Sequence, residues 1–241
     1  LGCGTGQLAL PLARHVGEVV GLDPEPEMLT EAAARARAAG VANVTWVAGG
    51  SDDLPALRDR LGRFRLVAMG ASFHWMDREA TLRELDRLVE PGGGLVVAGA
   101  GSFWTGTLPW QRAVKGVVQR WLGEERRAGS GTYTDPPERH EAVIARSAFR
   151  KIEMYRLNYQ SRWDVDRIAG WLYSSSFCSL ALLGDKREPG DPRLVPEAPL
   201  FGDGSAWPAR NVAGRARRRV HYAVLVTTRR CGEVWRTCAY S

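Results

Sequence analysis

The residues best suited to chemistry stand at the start of the chain: Leu1-Gly2-Cys3-Gly4-Thr5-Gly6, followed by Val19-Val20-Gly21-Leu22-Asp23. The first segment is a glycine-rich turn feeding a helix, and the second is an apolar strand ending in an acid. That pairing describes a nucleotide site in a doubly wound α/β sheet, where backbone amides hold one end of a ligand and a carboxylate accepts from ribose hydroxyls. Glycine allows the backbone to approach a ligand closely. The spacing alone does not choose the nucleotide. From Gly2 the pattern is G-x-G-x-G, and Gln7 breaks the dinucleotide form; from Gly4 the run Gly4-Thr5-Gly6-Gln7-Leu8-Ala9 fits G-x-G-x-x-A.

Such a site needs strands whose carboxyl ends meet at one edge of a sheet. The chain supplies an alternation of short apolar strands and helices over its first hundred residues. Helices are expected over Gln7 to His15 (Leu8 and Leu12 sharing a face), Glu27 to Ala39, Asp53 to Leu61, and Arg78 to Leu88, with Leu82, Leu85 and Leu88 inward. Strands are expected over Glu18 to Leu22, Asn43 to Ala48, Phe64 to Met69 and Leu95 to Ala100, the last after a turn at Pro91-Gly92-Gly93-Gly94. This rhythm argues for a parallel sheet covered on both faces. The chain opens in what should be the end of a first strand, so most of that strand is expected to be truncated.

Beyond residue 100 the rhythm loosens. Helices are expected at Trp110 to Leu122, Arg139 to Ser147 and Asp164 to Ser176, the last capped by Asp164, and strands at Phe149 to Gln160 and Val220 to Thr228. The expected organisation is a core at 1–100, lid helices and a further strand at 101–185, an irregular segment at 186–219, and a last strand and tail at 220–241. The segment from Lys186 to Arg219 is rich in Pro, Gly and Arg. It reads as a disordered excursion or a frameshifted translation.

The 241 residues carry a formal charge of +6. The excess lies near the C-terminus, at Arg210, Arg215, Arg217, Arg218, Arg219, Arg229 and Arg230. Arginine dominates lysine, as a GC-rich coding sequence produces without functional cause, and the run Arg215 to Arg219 has no interleaved aromatics, so nucleic acid is not an expected partner. No apolar run reaches the roughly 18 residues of a membrane span. Cys3, Cys178, Cys231 and Cys238 fit neither a zinc site nor a disulfide framework, and a reducing cytoplasm is the default expectation. No metal is expected.

Four pieces together resemble the class I S-adenosylmethionine-dependent methyltransferases: Leu1 to Gly6; Val19 to Asp23 with Met28-Leu29 after it; Ser51-Asp52-Asp53-Leu54-Pro55; and Leu88 to Gly94. The loop Ser72-Phe73-His74-Trp75-Met76-Asp77 is similar to one small-molecule branch, which includes trans-aconitate methyltransferase-like proteins. The resemblance implies a Rossmann-like, mostly parallel seven-stranded sheet with an antiparallel last strand and helices on both faces. It implies S-adenosyl-L-methionine as cofactor and a small-molecule methyl acceptor. The implied cofactor-binding residues are Gly2, Gly4, Gly6, Asp23, Pro24, Met28, Ser51, Asp52 and Gly70. Amides of Gly4 and Gly6 would attract the methionine carboxylate, Asp23 would take the ribose with Pro24 following it, Pro26 or Met28 would lie against the adenine, and Asp52 would take the adenine amino group with Ser51 offering an amide. The sequence departs from the family where Gly50 stands in place of a frequent acid and where Arg65 begins a strand that commonly opens with one.

His74 is the candidate catalytic residue. It falls in the loop after a strand, where it can orient an acceptor or accept its proton. The plainer reading is that His74 and Trp75 pack the loop and Asp77 caps the next helix. His15, His140 and His221 have no partners at useful spacing and read as surface or packing residues. Among nine tryptophans, Trp75, Trp104, Trp110, Trp121 and Trp171 can line an apolar pocket or simply fill a core. Three other readings stay open, one of them a nucleic-acid methyltransferase, which should carry an Asn/Asp-Pro-Pro-aromatic loop where Ser72-Phe73-His74-Trp75 stands. A nicotinamide-dependent oxidoreductase shares the loop and Asp23 but should bring a Tyr-x-x-x-Lys pair, which is absent. A truncated, non-catalytic relative is the third.

Overall fold

The computed structural model describes residues 1–100, 104–106, 108–128, 131–163, 165–173, 175–178, 180–183 and 216–229. The Lys186 to Arg215 part of the irregular segment, the cap at Asp164, and Cys231 and Cys238 lie outside the described residues. Two compact units emerge: the first comprises Leu1–Gly99, Pro136–Leu157 and Tyr222–Ser241, and the second comprises Ala100–Asp135 and Asn158–His221.

The first unit opens with α1 (Ala9–Ala13), β1 (Val19–Asp23), α2 (Pro26–Ala38), β2 (Val44–Ala48), α3 (Leu54–Leu61), β3 (Phe64–Gly70), a single 3₁₀ turn at Phe73–Trp75, α4 (Arg78–Leu88) and β4 (Val89–Ala100). Strands β1 and β2 pair in parallel from Val19 opposite Val44 to Asp23 opposite Ala48. Strands β3 and β4 also pair in parallel, so the carboxyl ends Gly70 and Ala98 fall side by side. The element order matches the sequence expectation closely, because hydrophobic periodicity changes cleanly between each strand and helix.

Leu1 to Cys3 run between these two sheets. The Leu1 nitrogen donates to Ala68 O of β3 at 2.9 Å, and the Cys3 amide donates to Leu22 O of β1 at 3.0 Å. The glycine loop is thereby fastened to both sheets at once.

Three local differences from expectation occur, and the first two have physical reasons. The buried residues of α1 are Ala9 and Ala13 rather than Leu8 and Leu12; small side chains let this helix lie close to the strands. The expected turn at Pro91 to Gly94 is absorbed into β4 as an irregularity, since Phe64 faces Val89 while Leu66 already faces Gly94. At Gly94 a Cβ would stand 2.1 Å from the Thr227 carbonyl oxygen, so the strand passes where a side chain cannot. The last strand begins four residues before the expected Val220.

The first unit is completed by α6 (His140–Ala145) and parts of β7 (Lys151–Trp163) and β8 (Ala216–Thr228), with the sheet order β3-β4-β8-β7. Its core includes Met69, Phe73, Leu85, Leu95, Ile144 and Phe149. Leu82, Leu85 and Leu88 face inward as the spacing predicts, and Asp77 caps α4 by accepting from the Ala80 amide at 2.9 Å. Arg229 ties the end of β8 to this helix, its Nε donating to Asp86 Oδ1 at 2.6 Å and its Nη1 to Val89 O at 2.8 Å.

The second unit holds α5 (Pro109–Leu122), a hairpin of β5 (Arg127–Ala128) and β6 (Gly131–Thr132), α7 (Val165–Tyr173) and α8 (Leu180–Leu183). Trp110, Val114, Val118, Ile168, Leu172 and Phe177 form its core. Trp104, Trp121 and Trp171 pack against that cluster. No helix among the described residues is long and apolar enough to cross a membrane.

Candidate functional site

The glycine loop is built from backbone conformations that side chains resist. Gly2, Gly4 and Gly6 have φ of +63°, +51° and +81°, in the left-handed region that glycine adopts at little cost. A Cβ on Gly2 would stand 2.5 Å from Ser72 Cβ, whereas one on Gly4 would meet nothing within 4 Å. Gly2 is therefore a packing glycine, and Gly4 borders open space.

Asp23 ends β1 and is only 7% exposed. Its two carboxylate oxygens are engaged separately: Oδ2 accepts from the Gly4 amide at 2.7 Å and Oδ1 from the Glu25 amide at 3.0 Å. Acid and loop, 19 residues apart in sequence, are thus one structure. Each oxygen retains acceptor capacity beyond its single amide. The amides expected to face a ligand carboxylate are occupied inside the loop, Gly4 by Asp23 and Gly6 by the Cys3 carbonyl at 3.0 Å. The glycines contribute shape and close approach rather than free donors.

Cys3 lies within this loop, its thiol pushed up to about 11, first by burial and then by the charge of Asp23. It is protonated and inert at neutral pH. Trp46 on β2 was not singled out by sequence, yet its ring lies over Gly21, where a Cβ would meet it at 2.5 Å, and against Gly6 at 3.0 Å. A tryptophan opposite a glycine in a neighbouring strand is the signal that could have found it.

The end of β2 reaches the same edge. The Gly49 amide donates to the Asp23 carbonyl at 3.0 Å, and a Cβ on Gly50 would lie 3.9 Å from Pro24 Cβ. Asp53 closes the following turn by accepting from the Gly50 amide at 2.8 Å. Asp52 is exposed and accepts from Ser51 Oγ at 3.3 Å. Pro24 and Met28 are exposed beyond Asp23.

The end of β3 supplies the third side. Gly70 lies against Leu8, and Ala71 holds a φ of +52° while its amide donates to Ala98 O at 2.8 Å. A left-handed alanine is strained, and here it redirects the chain into the Ser72–Asp77 loop. Buried Ser72 donates to Leu1 O at 2.8 Å, so this loop clasps the glycine loop. His74 is half-buried with its ring centroid 5.0 Å from that of Trp75, which is exposed.

His140 supports that loop from behind, 62 residues from Arg78 in sequence and therefore invisible to spacing arguments. Its ring packs on Phe73 at 5.1 Å. Arg78 Nη1 donates to the Glu138 carbonyl at 2.8 Å and stands 3.3 Å from His140 Nδ1. Arginine only donates, so Nδ1 must be the unprotonated nitrogen of a neutral ring. Burial, then Arg78, lowers the His140 pKa, against a smaller opposing effect of Glu141. The unfolded chain then takes up a proton that the folded one refuses. Stability from this group is fully present above the ordinary value near 6.5 and is lost as pH falls below it. We expect melting temperature to drop between pH 7.5 and 5.5, and His140→Asn to flatten that slope; an unchanged slope in the variant would refute the assignment.

The sequence profile of the family described as a methyltransferase domain matches residues 1–93. Residues 1–93, fewer than half of the chain, thus match a methyltransferase domain. Over 99 residues the chain is 35% identical to the ubiquinone biosynthesis O-methyltransferase of Azorhizobium caulinodans, covering 41% of this chain and 38% of that one. It is 31% identical over 123 residues to an uncharacterized methyltransferase of Mycobacterium bovis, covering 50% and 45%. The chain thus aligns with less than half the length of these relatives.

Among solved structures, a candidate methyltransferase from Bacillus halodurans matches with a TM-score of 0.57 and 15% identity, covering 95% of this chain and 90% of that one. The [4+2]-cyclase SpnF matches at 0.51 and 18%, covering 96% and 73%. Identities this low establish the Rossmann-like fold alone, and the cyclase illustrates why fold does not decide the reaction. For the methyltransferase domain the implied cofactor is S-adenosylmethionine. The loop residues fit it in one respect that needs no ligand: the open space at Gly4 lies beside a buried carboxylate with acceptor capacity left over.

Proposed function

We propose that this chain binds S-adenosylmethionine along the carboxyl edge of β1, β2 and β3 and transfers its methyl group to a small-molecule acceptor. The observation that carries this reading is the Asp23–Gly4 hydrogen bond, which fixes a ribose-type acceptor beside a glycine opening. When bound, the cofactor supplies an electrophilic methyl group on a sulfonium centre.

The chain's own residues bind and orient. Asp23 accepts from the ribose hydroxyls, and Gly2, Gly4 and Gly6 shape the approach of the amino-acid end. Pro24 and Met28 border the adenine with Ser51 and Asp52, and Gly70 opens the wall that carries His74. Alignment and exclusion of water are the main levers, since displacement at a sulfonium requires little else from the protein. His74 orients the acceptor, and no base is required when that acceptor is a carboxylate. On this reading β1–β2 and β3–β4–β8–β7 are parts of one seven-stranded sheet, with Leu1 to Cys3 as the end of the seventh strand between them and β8 antiparallel. The hydrogen bonds of Leu1 and Cys3 to both halves support it.

Calorimetric titration with S-adenosylhomocysteine, with NAD as control, tests the proposal. Saturable binding of S-adenosylhomocysteine alone is expected. Binding of NAD instead would favour an oxidoreductase, and binding of neither by folded protein would refute a working cofactor site.

A further inference from the structure

The second unit contains a cation whose surroundings are under-compensated. Arg126 precedes the β5–β6 hairpin, and its side chain is only 15% exposed. Its guanidinium lies 4.2 Å over the Tyr133 ring and 5.6 Å from that of Phe177. The cross-strand bond from the Tyr133 amide to Arg126 O at 2.8 Å fixes the two residues opposite one another. Yet Arg126 Nε is buried without a hydrogen-bond partner among the described residues. Among the described residues its counter-charge is Asp135, at 3.7 Å from Nη1 and 59% exposed. That distance exceeds a hydrogen bond, and the acid is solvated enough to be exchanged.

Removing a guanidinium from water is costly unless a well-matched anion and hydrogen bonds replace the solvent. The aromatic faces return part of that cost, and a loose contact to a solvated carboxylate returns little. Around this cation the chain has assembled apolar rings: Phe177 stands edge-on to Trp104 at 5.7 Å and to Trp171 at 5.6 Å. A second cation, Lys115, lies 5.1 Å from the Trp104 ring. A planar fork of donors beside aromatic walls suits a carboxylate carried on an apolar body.

We propose that Arg126 is the anion anchor of a binding site in the second unit for a small carboxylic acid with an aromatic or apolar body, and that Asp135 holds the guanidinium until the acid displaces it. This rests on the methyl-transfer reading only in naming such an acid as the acceptor class; the binding site stands on its own geometry.

The test is calorimetric titration of the full chain with 1-naphthoate and with the neutral 1-naphthylmethanol. The wild type should bind the acid at least about tenfold more tightly, an advantage of one hydrogen-bonded charge. Arg126→Met should erase the preference while keeping the apolar surface, and Asp135→Asn should strengthen naphthoate binding several-fold without altering the alcohol. Equal affinities in the wild type, or a preference that survives Arg126→Met, would overturn the proposal. Should Arg126→Met fail to fold, unchanged naphthoate affinity in Asp135→Asn would overturn it instead. S-adenosylhomocysteine titrated into the same samples separates the two readings. Its failure to bind beside an intact acid preference removes methyl transfer and keeps the acid site; its binding with no acid preference does the reverse.

Discussion

Asp23→Ala should abolish measurable binding of S-adenosylhomocysteine and lower the melting temperature in the same protein. The carboxylate accepts from two backbone amides, and each bond to a charged acceptor is worth about 1.5–3 kcal/mol. Removing it leaves the Gly4 amide without its acceptor and frees the glycine loop from β1. If the ribose hydroxyls also donate to it, two further bonds of that kind are lost from the complex, an affinity loss of about 100-fold or more. Asp23→Asn separates the two roles, since one carbonyl oxygen can still accept from Gly4 while the charge is gone. It should restore much of the melting temperature and little of the affinity. A variant that melts early yet binds S-adenosylhomocysteine like the wild type would show that Asp23 only anchors the loop.

The parts of this site that sequence makes legible are those where local chemistry and position coincide. Gly2, Gly4, Gly6 and Asp23 are readable because a turn that needs positive φ and an acid at a strand end leave marks within a few residues. The helix α4 is readable for the same reason: Asp77 caps it and leucines repeat along it. What was not legible is contact between residues far apart. His140 on Phe73 and Ser72 on Leu1 depend on which elements become neighbours, and no spacing rule carries that. The fate of the Gly4 and Gly6 amides was hidden too, because a free donor and one closed onto its own loop have the same sequence. The β5–β6 hairpin escaped because its paired strands are two residues each, too short for periodicity to register.

That hidden distinction makes the glycines the sharpest test of whether the loop serves a ligand or only the fold. Gly2 and Gly4 have similar left-handed conformations, with φ of +63° and +51°, so an alanine at either should cost about 1–2 kcal/mol in backbone strain. Their surroundings differ. At Gly2 the new methyl group would meet Ser72 Cβ at 2.5 Å and Oγ at 2.9 Å, within a clasp already fixed by the Ser72 bond to Leu1. Overpacking there adds about 1–3 kcal/mol, so Gly2→Ala should lower the melting temperature markedly. At Gly4 no atom lies within 4 Å of the methyl position, so Gly4→Ala should cost only the backbone strain. Its effect on binding should be the larger one, because the methyl group projects into the space proposed for the ligand. We expect folded Gly4→Ala to lose S-adenosylhomocysteine binding by about 100-fold, from a steric clash with the bound ligand. A loop that exists only to turn the chain would give the opposite pattern: Gly4→Ala would bind as the wild type does, and stability alone would register the change.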